Sequence, residues 1–330
     1  MSKSKGKKKK AIIIGISGQD GSYLAELLCK KGYEVFGTSR NAKLNNFDNL
    51  KKLDIYRRVK LLSVSITDFG SIYECINDIR PNEIYNLAGQ SSVGLSFKQP
   101  HETYESIIIG TLNCLETIRM LNKDIRYYNA CSSECFGDTN NTPATESTAF
   151  NPQSPYAVAK TSAYLTTKNY HHSHGLFACS GILFNHESPL RPERFVTQKI
   201  ISAAIAISIG EQELLELGDL DIRRDWGWAP EYVIAMHLML QRDQPNDFVV
   251  ATGKNNSLKD FLRETFSYFG LDWSDYVKQS EELFRPSELK VNSANPLKAR
   301  EILGWKASLT LQDIVKEMIK EKLNQLGSGS

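Results

Sequence analysis

Residues 11–32 constrain the fold of this chain more than any other stretch. Ala11-Ile-Ile-Ile-Gly15 reads as a buried strand and runs into Gly15-Ile-Ser-Gly18-Gln-Asp-Gly21. Ser22 to Lys31 then carries a helical pattern, which Gly32 stops. A strand, a glycine turn and a helix N-terminus together form a phosphate cradle. The glycines let the backbone come close, and the free N–H groups and the helix dipole stabilise an anion. A second strand, Glu34 to Thr38, follows at the distance of a βαβ unit, which favours a dinucleotide site over a ligand-free tight turn.

Strand and helix signals keep alternating. Val59 to Val64, Glu83 to Leu87, Ile125 to Cys131 and Phe177 to Leu183 read as strands, with helices such as Tyr104 to Leu121 between them. The expected fold class is α/β, a Rossmann-like doubly wound parallel sheet. After about Asn185 the pattern turns irregular and rich in Pro, Arg and Trp, with short helices such as Ser257 to Phe269 and Leu311 to Leu323. This predicts a smaller mixed α/β substrate lobe. The expected division is a basic flexible tail at 1–10, an NADP-binding domain at 11–184 to which some later segments return, a lobe at 185–326 that mainly holds substrate, and a flexible end at 327–330. Ligands of open α/β sheets bind beyond the carboxyl ends of the strands, so the cleft between the lobes is the expected active site.

The end of the second strand bears on which dinucleotide binds. An acid there would accept hydrogen bonds from the ribose of NAD, but the chain reads Thr38-Ser39-Arg40-Asn41. A guanidinium among small polar groups suits the extra phosphate of NADP, with a solvated arginine as the other reading.

Composition excludes several other classes. The chain has 330 residues, 41% of them hydrophobic and 24% charged, enough for a sizeable core. A net charge of +2 makes no general case for nucleic acid, and the basic first ten residues read as a solvated tail. No run is apolar enough for a signal peptide or a membrane span. The expectation is a cytoplasmic chain with neither nucleic-acid nor membrane partners. Six cysteines, at 29, 75, 114, 131, 135 and 179, lack metal-type CxxC pairing; they are expected to be reduced and mostly buried, with no metal site.

Chemistry enters at Asn151-Pro-Gln-Ser-Pro-Tyr-Ala-Val-Ala-Lys160. Ser154 suits a helix N-cap and Pro155 the first helical position, which puts Tyr156 in the opening turn and Lys160 one turn further on the same face. A phenol titrates near pKa ~10, and an adjacent ammonium is expected to lower that value and make Tyr156 a base. Spacing alone also suits any amphipathic helix; the glycine turn upstream changes that reading. A third group, Ala130-Cys-Ser-Ser-Glu-Cys-Phe-Gly137, lies at a strand end. There Ser132 can share a proton with Tyr156, and Glu134 adds a carboxylate that plain hydride transfer does not need.

Over nearly its whole length the chain resembles the extended short-chain dehydrogenases/reductases that modify nucleotide sugars, and among them the GDP-mannose 4,6-dehydratase family. The resemblance rests on Gly15 to Glu26, Tyr85-Asn-Leu-Ala-Gly89, Ser132-Ser-Glu134, Ser154 to Lys160, Gly181 to Pro189, Phe195 to Ile200, Arg224-Asp-Trp-Gly227 and Phe284-Arg-Pro286. Asn185-His-Glu-Ser-Pro189 with Phe195-Val-Thr197 is the part specific to the dehydratases.

The resemblance implies a lyase with four catalytic residues. Tyr156 takes the proton from O4 of the sugar with help from Ser132, and Lys160 lowers the tyrosine pKa and holds the nicotinamide ribose. Glu134 removes the C5 proton and protonates the departing 6-hydroxyl, and hydride leaves C4 and returns to C6. NADP(H), rather than NAD, would be held tightly by Gly15, Ser17, Gly18, Gln19, Asp20, Gly21, Arg40, Ser65, Ile66, Leu87, Ala88 and Gly89 together with Tyr156 and Lys160. The GDP-sugar would meet Ser92, Ser133, Asn185, Val196, Lys199, Gly218, Arg224, Arg285 and Glu288, and the assembly would be a homodimer or homotetramer.

The chain departs from the family at several positions. Ser132 replaces a threonine but keeps its hydroxyl, Ser92 and Trp228 replace histidines, Ser65 replaces an aspartate and Asn41 replaces the second of two arginines. Ser92 opens room near the sugar, so a larger GDP-sugar such as a manno-heptose is the alternative substrate. A related reductase or epimerase is the alternative activity; it would not need Glu134.

Overall fold

Ala11, Ile12, Ile13 and Ile14 are all buried, yet Ala11 and Ile13 belong to one hydrophobic cluster and Ile12 and Ile14 to another. Successive strand side chains point to opposite faces, so an unbroken apolar strand means a sheet covered on both sides. In the computed structural model, which describes residues 8–121, 124–140 and 142–327, the first half runs β1 (Lys10–Ile14), α1 (Gln19–Lys30), β2 (Glu34–Ser39), β3 (Val59–Ser63), α2 (Phe69–Ile79), β4 (Glu83–Asn86), α3 (Gly110–Leu121), β5 (Arg126–Ser132), α4 (Pro155–His174) and β6 (Ala178–Leu183). The second half adds α5 (Val196–Ser208), α6 (Ala229–Leu240), β7 (Phe248–Val250), α7 (Leu258–Ser267) and α8 (Leu311–Gly327).

The central sheet has seven strands in the order β7-β6-β5-β4-β1-β2-β3, and every pairing is parallel. This is the expected α/β, doubly wound class. On one face α1 and α6 bring Leu24, Leu28, Met236 and Met239 against Ile13, Tyr85 and Tyr128. On the other, α2 and α3 bring Ile72, Ile76, Leu115 and Ile118 against Ile12, Ile84 and Tyr127. The order reverses between β1 and β4, and the loops leaving these two strands bound the crevice where ligands of such sheets bind.

A second core sits beyond the strand ends, where α5, α7 and α8 pack Ile201, Ile205, Phe261, Leu262, Val315 and Ile319 around Trp226. α7 starts on a full capping box: Ser257 and Asp260 each bond the other's backbone N–H.

Some boundaries differ from the sequence reading. α1 starts at Gln19, not Ser22, because its first turn grows directly out of the glycine loop. The helix expected over 104–121 is a short helix Pro100–Tyr104, a π turn Glu105–Ile109 and then α3. α8 continues past Leu323. Of the two segments expected to be flexible, residues 1–7 and 328–330 lie outside the described residues, whereas Lys10 opens β1 and its Nζ donates to the Ile79 carbonyl at 2.8 Å. All six cysteines are free. Among the described residues no helix is long and apolar enough to cross a membrane, and no group of three or more His, Cys, Asp or Glu could hold a metal.

Candidate active site

The glycine loop is a steric necessity. Gly15 has φ +88°, and a Cβ on Gly21 would lie 2.4 Å from the Gly15 carbonyl oxygen. Only hydrogens fit there, and the space they leave is the cradle at the α1 N-terminus. That end of α1 is tied to the segment after β6. Gln19 Nε2 donates to the His186 carbonyl at 3.2 Å, Ser188 Oγ donates to Gln19 Oε1 at 2.7 Å, and His186 Nε2 lies 2.9 Å from Asp20 Oδ2. Burial alone would raise Asp20 and lower His186, but the charge of each drives the other the opposite way: Asp20 ends below and His186 above its ordinary value, an ion pair.

α4 begins as its sequence requires. Ser154 Oγ accepts from the Ala157 N–H at 3.1 Å and Pro155 takes the first helical position. Tyr156 and Lys160 are both buried and Lys160 Nζ lies 5.8 Å from the Tyr156 ring centroid. The expected lowering of the phenol by the ammonium does not appear. Burial pushes the Tyr156 hydroxyl well above its ordinary value; a hydrogen bond with Ser132 opposes this, while Cys135 and Glu134 add to it. Lys160 Nζ donates instead to the Ala130 carbonyl on β5 at 2.8 Å, and burial lowers its own pKa. In the protein alone, then, desolvation is the largest influence on the Tyr156 hydroxyl.

β5 delivers the other groups. It ends at Ser132, and a single 3-10 turn, Ser133–Phe136, carries Glu134. The Ser132 hydroxyl accepts from the Glu134 N–H at 3.3 Å. Burial raises the Glu134 carboxyl above its ordinary value, against the pull of Arg224 and Arg285. Arg224 is 4% exposed; its guanidinium donates to Glu288 at 3.0 Å and to the Arg223 carbonyl at 2.9 Å. Asn292 holds the turn from below, donating to the carbonyls of Ser133 and Gly137 at 3.1 and 3.2 Å.

A cleft of about 830 Å³ lies between the strand ends and the helical lobe. Lining it are all the expected cofactor positions, namely the glycine-loop residues, Arg40, Ser65, Ile66 and Leu87 to Gly89. Ser132, Glu134, Tyr156 and Lys160 line it too, as do Ser92, Ser133, Asn185, Val196, Arg224 and Arg285. Three expected substrate residues stand apart. Lys199 is exposed on α5. Gly218 packs against Leu283, whose carbonyl oxygen an added Cβ would meet at 3.0 Å. Glu288 acts on the cleft through the arginines it bonds. Arg40 lines the cleft but is paired with Glu102 at 3.1 Å, both side chains well exposed. Ser92 caps a short helix by accepting from the Leu95 N–H at 3.3 Å.

Sequence reasoning missed His186, Arg191 and Cys131, which also line the cleft. His186 and Arg191 belong to or adjoin the Asn185-to-Pro189 run, in which the resemblance assigns a ligand role only to Asn185. Cys131 is the immediate neighbour of Ser132.

The sequence matches the family model described as GDP-mannose 4,6 dehydratase over residues 12–318. The chain belongs to the GDP-mannose 4,6-dehydratase family. It is 45% identical to the GDP-mannose 4,6 dehydratase 2 of Arabidopsis thaliana, across 96% of this chain and 87% of that protein. To the GDP-mannose 4,6-dehydratase of Yersinia enterocolitica it is 40% identical, across 96% and 94%. Among solved structures it resembles DesIV, the dTDP-glucose 4,6-dehydratase of Streptomyces venezuelae with NAD bound, with a TM-score of 0.86 at 20% identity over 96% of this chain and 98% of that one. It also resembles the UDP-glucose 4-epimerase of Thermotoga maritima, with a TM-score of 0.85 at 22% identity over 96% and 99%. These two likenesses concern the fold. Glu134, on the turn that follows Ser132, lines the same cleft as Tyr156.

Proposed function

We propose that the chain is a GDP-mannose 4,6-dehydratase, converting GDP-α-D-mannose to GDP-4-keto-6-deoxy-D-mannose and water with a tightly held nicotinamide cofactor. The observation that carries this reading is Glu134, a carboxyl raised by burial in the cleft that also holds Ser132, Tyr156 and Lys160. The relatives named for GDP-mannose favour this substrate over a heptose and this activity over a reductase or epimerase.

The glycine loop fits a dinucleotide diphosphate, since Gly15 and Gly21 leave the space a Cβ would fill. A nicotinamide held there would supply the acceptor for the C4 hydride and the donor that returns it to C6. Tyr156 Oη takes the proton of the C4 hydroxyl, and Ser132 Oγ bonds the same oxygen and steadies the phenolate. The positive charge of Lys160 beside this site favours the ionised phenol once substrate is seated. Glu134 removes the C5 proton, acidified by the neighbouring ketone, and returns a proton to the departing 6-hydroxyl. Arg224 and Arg285 supply charge for the GDP diphosphate, with Glu288 holding both guanidinium groups in place. Thr38, Ser39 and Arg40, with no acid at the end of β2, favour NADP; Glu102 is the group Arg40 would leave to meet a phosphate. Six free thiols suit a reducing compartment such as the cytoplasm.

The test is to incubate purified protein with GDP-mannose, without added cofactor, and follow the sugar nucleotide by mass spectrometry. Loss of one water is expected. Denaturing the same preparation should release the dinucleotide, with NADP expected; unchanged GDP-mannose in cofactor-loaded protein would sink the reading.

We also read the enzyme as a homodimer or homotetramer. α3 and the preceding π turn expose Ile109 and Met120 at 42% and 56%, and the adjacent α4 exposes Val158 and Leu165 at 38% and 55%. Val158, Ser162 and Leu165 lie on one helix face, so a second copy can bury the stripe in helix-to-helix packing. Light scattering is expected to give a multiple of the chain mass for the wild type and a lower assembly for Leu165→Glu. A monomeric wild type would overturn this.

A further inference from the structure

Two thiols border the catalytic segment. Cys131 is the penultimate residue of β5 and Cys135 follows in the 3-10 turn, so the pair brackets Ser132, Ser133 and Glu134. Their sulfurs lie 3.6 Å apart. Both side chains are buried, and Cys131 lines the cleft. Cys135 lies deeper, with its sulfur 3.7 Å from the Ala157 carbonyl of α4. Burial raises Cys131. It also opposes ionisation of Cys135, but that thiol is nevertheless held below its ordinary value, because Cys131 hydrogen-bonds its sulfur and Lys160 adds positive charge. The pair therefore gives up a first proton more readily than two isolated buried thiols would.

We propose that Cys131 and Cys135 are a redox modification site, a dithiol that hydrogen peroxide converts to a disulfide and that thereby switches off the Ser132–Glu134 segment. In the first step the Cys131 sulfur, which faces the cleft, passes its proton to the Cys135 thiolate 3.6 Å away and attacks one peroxide oxygen. The S–O bond forms, the O–O bond breaks and hydroxide leaves with the proton the pair first released. In the second step Cys135 sulfur displaces the sulfenic oxygen, and its proton leaves with that oxygen as water. Two thiols and one peroxide give one disulfide and two waters; a dithiol reductant reverses the change.

Closing the bond takes the sulfurs from 3.6 Å to the ~2.05 Å of a disulfide. The bond would close a ring over the five residues 131–135, which carry the hydroxyl at Ser132 and the carboxyl at Glu134. A displacement of about 1 Å at reacting groups costs roughly 100-fold in rate. The consequence for turnover rests on the function proposed above; formation of the disulfide does not.

The full-length protein treated with hydrogen peroxide, alkylated and digested with trypsin tests both parts. Tyr127 to Lys160 contains no internal Lys or Arg, so one peptide carries both cysteines and no other. After peroxide this peptide is expected to lose two hydrogens and both alkyl groups, and turnover to fall roughly 100-fold and return with dithiothreitol. Cys135→Ser should keep its basal turnover, form no disulfide and lose the dithiothreitol-reversible inactivation; Cys135→Ala serves if that variant does not fold. A wild-type peptide that keeps both alkyl groups after peroxide overturns the site. A disulfide formed with turnover unchanged overturns the switch. If the disulfide forms in protein that never dehydrates GDP-mannose, the modification site stands and only the proposed function falls.

Discussion

Glu134→Gln is expected to lower turnover of GDP-mannose by roughly 10²–10⁴-fold, the usual contribution of a positioned proton-transfer group. The substitution keeps the shape of the side chain and removes its ability to take the C5 proton and give one to the departing hydroxyl. Oxidation at C4 does not use this carboxyl. A single turnover of the variant should therefore accumulate the reduced-nicotinamide signal with the hexose trapped before loss of water. The wild type should show that signal only transiently.

The pH profile supplies an independent reading of the same group. Burial raises Glu134 above its ordinary 4.5, and Arg224 and Arg285 only partly oppose this. The base is the ionised form, so kcat should fall as pH drops through that raised value. The acid limb should thus begin above the range of an exposed glutamate and disappear in Glu134→Gln. Full turnover in the variant would remove the elimination step from this residue and return the chain to the reductase or epimerase reading.

Tyr156→Phe is expected to cost a similar roughly 10²–10⁴-fold, but at the other half-reaction. Phenylalanine keeps the ring packed at the start of α4 and removes only the hydroxyl that receives the C4 proton. The contrast is in the intermediate: this variant should form almost no reduced nicotinamide in a single turnover, whereas Glu134→Gln should form it and stall. Because burial holds the Tyr156 hydroxyl above its ordinary value, losing this group removes the one proton acceptor that the Ser132 hydrogen bond helps to ionise. Retention of wild-type reduced-nicotinamide formation in Tyr156→Phe would show that another base opens the reaction.

Short-range signals in the sequence determined the architecture. Four consecutive apolar residues at 11–14 demanded a sheet covered on both faces. Gly15 and Gly21 demanded a turn that a Cβ would block, and Ser154-Pro155 set the start of α4 and hence the face carrying Tyr156 and Lys160. Periodicity, capping and steric exclusion act within one or two turns of the chain, and so they are legible without coordinates. Only the tertiary structure decided how the groups are tuned and with whom they pair. Lys160 bonds the Ala130 carbonyl, Asp20 meets His186 from 166 residues away in the chain, Arg40 is engaged by Glu102, and Glu288 reaches the cleft only through Arg224 and Arg285. Desolvation sets the proton affinity of a buried group and long-range packing selects its partner, and neither follows from residue spacing. For the same reason the expected low pKa of Tyr156 became a raised one, and two cysteines with no metal-type spacing stand 3.6 Å apart beside Ser132.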